Sequence, residues 1–161
     1  MACGFTGHRP EKLPWGSDES DSRCQALKLR LKQLILEQID SGVDTFLCGM
    51  ARGCDFYFAE AVLSLRDEGH PIRLEALLPC PSQPDRWTEK DRQRYQSLLV
   101  QCDGVYLLEE EYSDGCMLRR NRAMVDRVQH LISVWDGSPG GTEATVRYAG
   151  RRGVEVIPVW L

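Results

Sequence analysis

Short apolar runs alternate with segments of helical period from one end of the chain to the other, and this alternation constrains the fold more than any other feature. Ala2 to Phe5, Thr45 to Cys48, Ile72 to Leu78, Val105 to Leu108, Leu131 to Trp135 and Val154 to Val159 read as strands. Between them, Leu27, Leu31, Leu34, Ile35 and Ile39 mark one face of a helix that stops at Ser41-Gly42. Phe58, Ala59, Val62 and Leu65 mark a second, stopped near Gly69, and Glu89 to Gln101, Met117 to Arg127 and Thr142 to Arg152 complete the set. Strands separated by helices of this length build βαβ units and a parallel sheet. The expectation is an α/β fold: one Rossmann-like domain over residues 1–161, with a mostly parallel sheet of about five to six strands and helices on both faces. No composition shift, linker or repeat divides the chain.

Composition narrows the function. With 42% apolar and 27% charged residues, the chain is ordinary for a globular domain and has no low-complexity tract. No run approaches the roughly 20 apolar residues of a membrane span. Met1 to Phe5 enters a strand without the regions of a signal peptide, so a cytoplasmic protein with no membrane partner is expected. The seven cysteines include no C-x-x-C pair and do not cluster with the three histidines, which points to reduced, mostly buried thiols and to no metal or cofactor. A formal charge of −4 gives no global attraction to nucleic acid, so any anion site must be local.

In a parallel sheet the carboxyl ends of all strands share one edge, so the turns that follow them are neighbours. After the second strand comes Gly49-Met50-Ala51-Arg52-Gly53-Cys54-Asp55. Its glycines allow a sharp turn or a close ligand, Arg52 can pair with a phosphate, and Asp55 stands where a helix N-cap belongs. After the first strand, Gly7, His8 and Arg9 offer a glycine and two donors to an oxyanion before Pro10. After the fifth, Asp136-Gly137-Ser138-Pro139-Gly140-Gly141-Thr142 is a second glycine-rich turn. Thr142 is the expected N-cap, the Gly140 and Gly141 amides can hold phosphate, and Asp136 can accept from a ribose. On the following stretch of arginines, Arg119 and Arg122 share a helix face, and one of them, with Asn121, is expected to point into the cleft. Trp87 can stack on a base or pack in the core.

These residues carry a resemblance. Cys48 to Asp55 resembles the glycine-alanine-arginine-glycine-x-aspartate turn of the DNA-processing protein DprA. Asp136 to Thr142 resembles the proline-glycine-glycine phosphate turn of the LOG proteins, cytokinin-activating phosphoribohydrolases. With Thr6 to Pro10 and the Arg119 to Asp126 helix, nearly the whole chain is similar to the YpsA-like branch of that SLOG superfamily. The resemblance implies a Rossmann-like fold that holds a nucleotide or nucleotide-derived small molecule at the strand ends, often as a homo-oligomer. LOG enzymes place a glutamate three residues after the threonine of their phosphate turn; here that position holds Thr145.

Nucleotide binding or sensing is therefore the leading expectation. One alternative is hydrolysis of a nucleoside monophosphate at its N-glycosidic bond, for which Glu143, Asp136 and Glu60 are the candidate carboxylates. Another, not favoured, is single-stranded nucleic-acid binding through Arg119, Arg120, Arg122 and Arg127.

Overall fold

The apolar runs assemble into a single sheet. In the computed structural model, which describes residues 1–161, β1 (Ala2–Gly7), β2 (Thr45–Cys48), β3 (Arg73–Leu78), β4 (Gly104–Leu107), β5 (His130–Trp135) and β6 (Glu155–Trp160) form six parallel strands. Their order is β4-β3-β2-β1-β5-β6. The crossovers carry α1 (Ser22–Asp40), α2 (Cys54–Asp67), α3 (Glu89–Gln101), α4 (Cys116–Val125) and α5 (Gly141–Arg151), and a short 3-10 turn spans Pro10–Lys12. β1 runs two residues past the expected Phe5, because Thr6 and Gly7 stay in register with Ser133 and Val134 of β5.

Local chemistry sets the helix ends. The Asp21 carboxylate accepts the Arg23 amide at 2.8 Å before α1, and the Thr88 hydroxyl accepts that of Asp91 at 3.2 Å before α3. Two layers of side chains then close the core on either side of the sheet. On one side Leu31, Leu34 and Ile35 of α1, Phe56 and Phe58 of α2, and Tyr95 and Leu98 of α3 pack on Phe5, Phe46 and Leu74. The Phe5 and Phe58 rings stack with centroids 4.5 Å apart. On the other side Met124 and Val125 of α4, Val128 just after it and Ala149 of α5 meet Leu47, Leu77 and Leu131.

Two parts of this core lie outside the helices and strands. Leu13 and Trp15, in the loop after β1, are buried in the larger layer, and Trp87 packs edge-on against Phe56 and Tyr95. The loops around the carboxyl edge are therefore anchored from below. Six of the seven cysteines are buried and all seven are thiols. No helix is long and apolar enough to cross a membrane.

Candidate functional site

The strand order reverses between β1 and β5, so the chains leaving these neighbours diverge and open a cleft of about 610 Å³ at the carboxyl edge. Its lining comes from Thr6 to Arg9 at the end of β1 and just past it, from Gly115 to Leu118 at the start of α4, and from Gly140 to Thr142 at the start of α5. Glu11, Lys12, Ala51, Asp55, Tyr112, Arg120 and Asn121 also line it.

Two helices point their N-termini into this space. The amides of Gly141, Thr142 and Glu143 find no acceptor within the protein, and neither do those of Met117 and Leu118 in the first turn of α4. Such amides carry partial positive charge and are aimed outward along the helix axis. The exposed Arg9 adds a full charge beside them. Lys12 instead steadies the rim, donating to the Pro139 carbonyl at 2.6 Å and to Ser138 Oγ at 3.3 Å.

The turn after β2 is built to seat side chains. Arg120 Nη1 donates to the Gly49 carbonyl, to that of Leu77 at 3.3 Å and to Gln83 Oε1 at 3.4 Å, while its Nε donates to Asn121 Oδ1 at 2.8 Å. A Cβ on Gly49 would stand 2.5 Å from Arg120 Cζ, so the guanidinium occupies the room that the glycine leaves. Gly53, at φ +83°, brings the start of α2 against the first loop: the Cys54 amide donates to the His8 carbonyl at 3.2 Å. Asp55 reaches back to accept the Ala51 amide at 2.9 Å through Oδ2.

Asp55 is 6% exposed and Arg120 2%, yet both line the cleft. Burial pushes the Asp55 carboxyl up to about 6, against the pull of Arg120 and Arg9. Burial also lowers Arg120 from the usual arginine range. Neither Asp55 Oδ1 nor Arg120 Nη2 has a hydrogen-bond partner in the protein. Across the reversal point, His8 Nε2 lies 2.9 Å from Asp136 Oδ1 and ties the β1 and β5 turns together.

Several expected residues sit elsewhere. Arg52 does not line the cleft; it pairs with Glu11 at 2.6 Å and lies over the Trp87 ring. Gly49, Met50 and Gly53 shape the turn from outside the cleft lining, and Gly137, at φ +87° and likewise outside it, bends the chain after β5. Asp55 is not the N-cap of α2, which is Gly53, and Thr142 is not that of α5, which is Gly140: each lies one step inside its helix, with its side chain buried at the cleft. Arg119 turns to Glu109 at 3.0 Å and Arg122 lies over the Tyr148 ring, so neither enters the cleft.

Arg120 is the arginine of α4 that enters. The sequence held a signal for it: Cys116, Arg120 and Met124 recur every four residues along the buried stripe of α4, and an arginine on such a stripe needs polar partners in the interior. Asp136 accepts the Ser138 amide at 2.9 Å as well as facing His8, and these bonds hold its carboxyl well below the usual range. Glu143 pairs with Arg147 along α5, and Glu60 meets Arg94 at 2.6 Å on α2. Thr145 is fully buried, its hydroxyl donating to the Gly141 carbonyl at 2.8 Å.

An all-parallel sheet with a polar cleft where its order reverses defines the Rossmann-like α/β class. Within that class, the chain belongs to the YspA SLOG family, whose model matches residues 3–152. Among its relatives, a UPF0398 protein of Bacillus pumilus is 25% identical over 140 residues, covering 85% of this chain and 74% of the relative. One from Halalkalibacterium halodurans is 29% identical over 129 residues, covering 78% and 68%. The UPF0398 protein YpsA of Bacillus subtilis is 22% identical over 140 residues, covering 86% and 77%.

Two solved structures share the fold. DNA processing protein A from Helicobacter pylori, described for its single-stranded DNA binding mode, superposes with a TM-score of 0.65 at 16% identity. That of Streptococcus pneumoniae gives 0.63 at 13%. Each match covers 98% of this chain but only 64% and 49% of the longer proteins.

Proposed function

We propose that the cleft between β1 and β5 binds a nucleotide or nucleotide-derived small molecule and serves as a binding or sensing site. One observation carries this reading: three amides without acceptors at the start of α5 open onto a cleft of about 610 Å³ that also presents Arg9. A phosphate group satisfies such amides and gains from the helix dipole, and the volume suits a ligand of nucleotide size. Arg120 Nη2 supplies a further donor from the interior. Gly7 and His8 shape the wall beside the sugar, and Asn121 holds Arg120 in place. Binding is favoured over bond cleavage because Glu143, Glu60 and Asp136 are each engaged by other residues.

A thermal-shift panel of nucleoside mono-, di- and triphosphates, with inorganic phosphate as control, tests the proposal. A ligand at 100 times its Kd adds about 2.7 kcal/mol to the native state, which moves the melting temperature by several degrees. Silence toward every nucleotide at millimolar concentration sinks the reading.

A second reading, single-stranded nucleic-acid binding, draws on the fold likeness to the Helicobacter pylori protein and on the arginines of α4. It requires oligonucleotide binding that competes with mononucleotides for the same cleft. Oligonucleotides that bind without competition would remove it.

A further inference from the structure

We propose that Asp55 reads the vicinal hydroxyls of a ribose, so that the cleft selects ribonucleotides over 2′-deoxyribonucleotides. This inference rests on the nucleotide reading of the cleft and adds to it the sugar that the site requires.

Three carboxylates stand in or beside the cleft, and two are engaged. Asp136 accepts from the Ser138 amide and faces His8, and Glu11 is paired with Arg52. Glu11 and Asp136 are also open to solvent, at 60% and 36% exposed, whereas Asp55 is buried with acceptor capacity to spare: Oδ2 takes one amide and Oδ1 takes no protein donor. A carboxylate oxygen accepts two hydrogen bonds, so one lone pair on Oδ2 and both on Oδ1 await donors. A buried acceptor left without a partner is costly, and the residues around it set what the partner must be.

Phosphate oxygens only accept, and the amides of α5 with Arg9 and Arg120 already answer them. Asp55 needs the part of the ligand that donates. In a 5′-nucleotide the hydroxyls nearest the phosphate belong to the sugar, and a cis-diol offers two O–H groups to the two oxygens of one carboxylate. Exocyclic amines lie farther out and differ from base to base. An acidic side chain that follows a strand and takes the sugar hydroxyls is also a recurrent solution at the edge of parallel sheets.

Selection follows from the same account. A ligand without the 2′-hydroxyl leaves Asp55 under-satisfied in a desolvated place, a defect worth about tenfold or more in affinity. The Asp55→Asn variant keeps an oxygen for the Ala51 amide but turns an NH₂ group, a donor, toward the ligand, so the preference should vanish while the fold survives.

The probes are matched pairs of nucleoside 5′-monophosphates, ribose against 2′-deoxyribose, for each of the four bases, titrated calorimetrically. The expected result is a ribose preference of about tenfold or more in every pair that binds, reduced to near parity in Asp55→Asn. Equal affinities within the pairs on the unaltered protein, or an undiminished preference in a folded Asp55→Asn, would overturn the assignment of Asp55 while leaving the nucleotide site standing. If none of the eight probes binds, the nucleotide reading itself fails and this inference falls with it.

Discussion

A carboxyl that ionises near pH 6 inside the domain opposes folding once it is charged. Asp55 is held up to about 6 by burial, whereas in an unfolded chain it titrates about two units lower. Between about pH 4 and about pH 6 the native state keeps a proton that the unfolded state has lost. The contribution of Asp55 to stability is therefore present below that window and falls as pH rises through it, by up to about 3 kcal/mol. Glu19 acts in the opposite sense: burial would raise it, but Arg94 and Lys28 hold it down to about 2, so its contribution is lost on acidification. The comparison that isolates Asp55 is the unaltered protein against Asp55→Asn, with urea unfolding at several pH values. The stability of the unaltered protein should fall relative to the variant between about pH 4 and about pH 6; parallel profiles would refute the assignment. Gly53→Ala tests the turn itself. At φ +83° an alanine is strained, and its Cβ would meet the His8 carbonyl at 2.9 Å. A loss of about 2 kcal/mol or more is expected in the same experiment, and an unchanged urea midpoint would contradict this geometry.

At the scale of elements, strands and helices were legible because their periods are unbroken, and the parallel pairing of β2, β1 and β5 brought the three expected turns to one edge. What the sequence did not disclose was the division of labour among the turns. The turn after β2 reads as an anion site because Gly-x-x-x-Gly and an arginine look alike whether they face a ligand or another helix. Arg120, more than 60 residues away, fills the space at Gly49, so that glycine answers to packing, while Ala51 and Asp55 of the same turn line the cleft. Capping failed for a related reason. Asp55 and Thr142 have the right chemistry for N-caps, but glycines with positive φ take those positions and move both side chains into the cleft lining. These placements imply unequal effects. Arg52 and Trp87 lie outside the lining, and Arg52→Ala removes only a partly exposed ion pair with Glu11 and a contact with Trp87, so nucleotide affinity should change by less than about threefold. Arg9→Ala removes a charge beside the α5 amides and should weaken binding by about tenfold or more. Calorimetric titration of the two variants with one nucleotide distinguishes them, and the reverse order would mean that the phosphate sits at the β2 turn.

For the whole molecule, the charge is unevenly divided. Residues 116 to 152 hold seven arginines against three carboxylates, although the chain carries −4 overall, so the remainder is strongly acidic. Much of that positive charge is already answered locally: Arg119 by Glu109, Arg147 by Glu143, Arg152 by Asp126, while Arg120 is buried. A mononucleotide in the cleft meets short-range donors in a partly desolvated space, where added salt screens little. A strand running out of the cleft would depend on the exposed arginines and would meet repulsion from the acidic remainder. Its affinity should fall by about 0.7 log units per phosphate contact for each tenfold rise in salt. Fluorescence anisotropy of a labelled oligothymidylate, beside calorimetry of a nucleotide, makes the contrast measurable. Raising salt from about 50 to about 200 mM should weaken oligonucleotide binding by about 2.5-fold for each phosphate contact and leave nucleotide binding within about twofold. Oligonucleotide binding that survives undiminished at the higher salt would require contacts beyond phosphate charge, with bases seated in the cleft, and would make a single strand the ligand that this site holds.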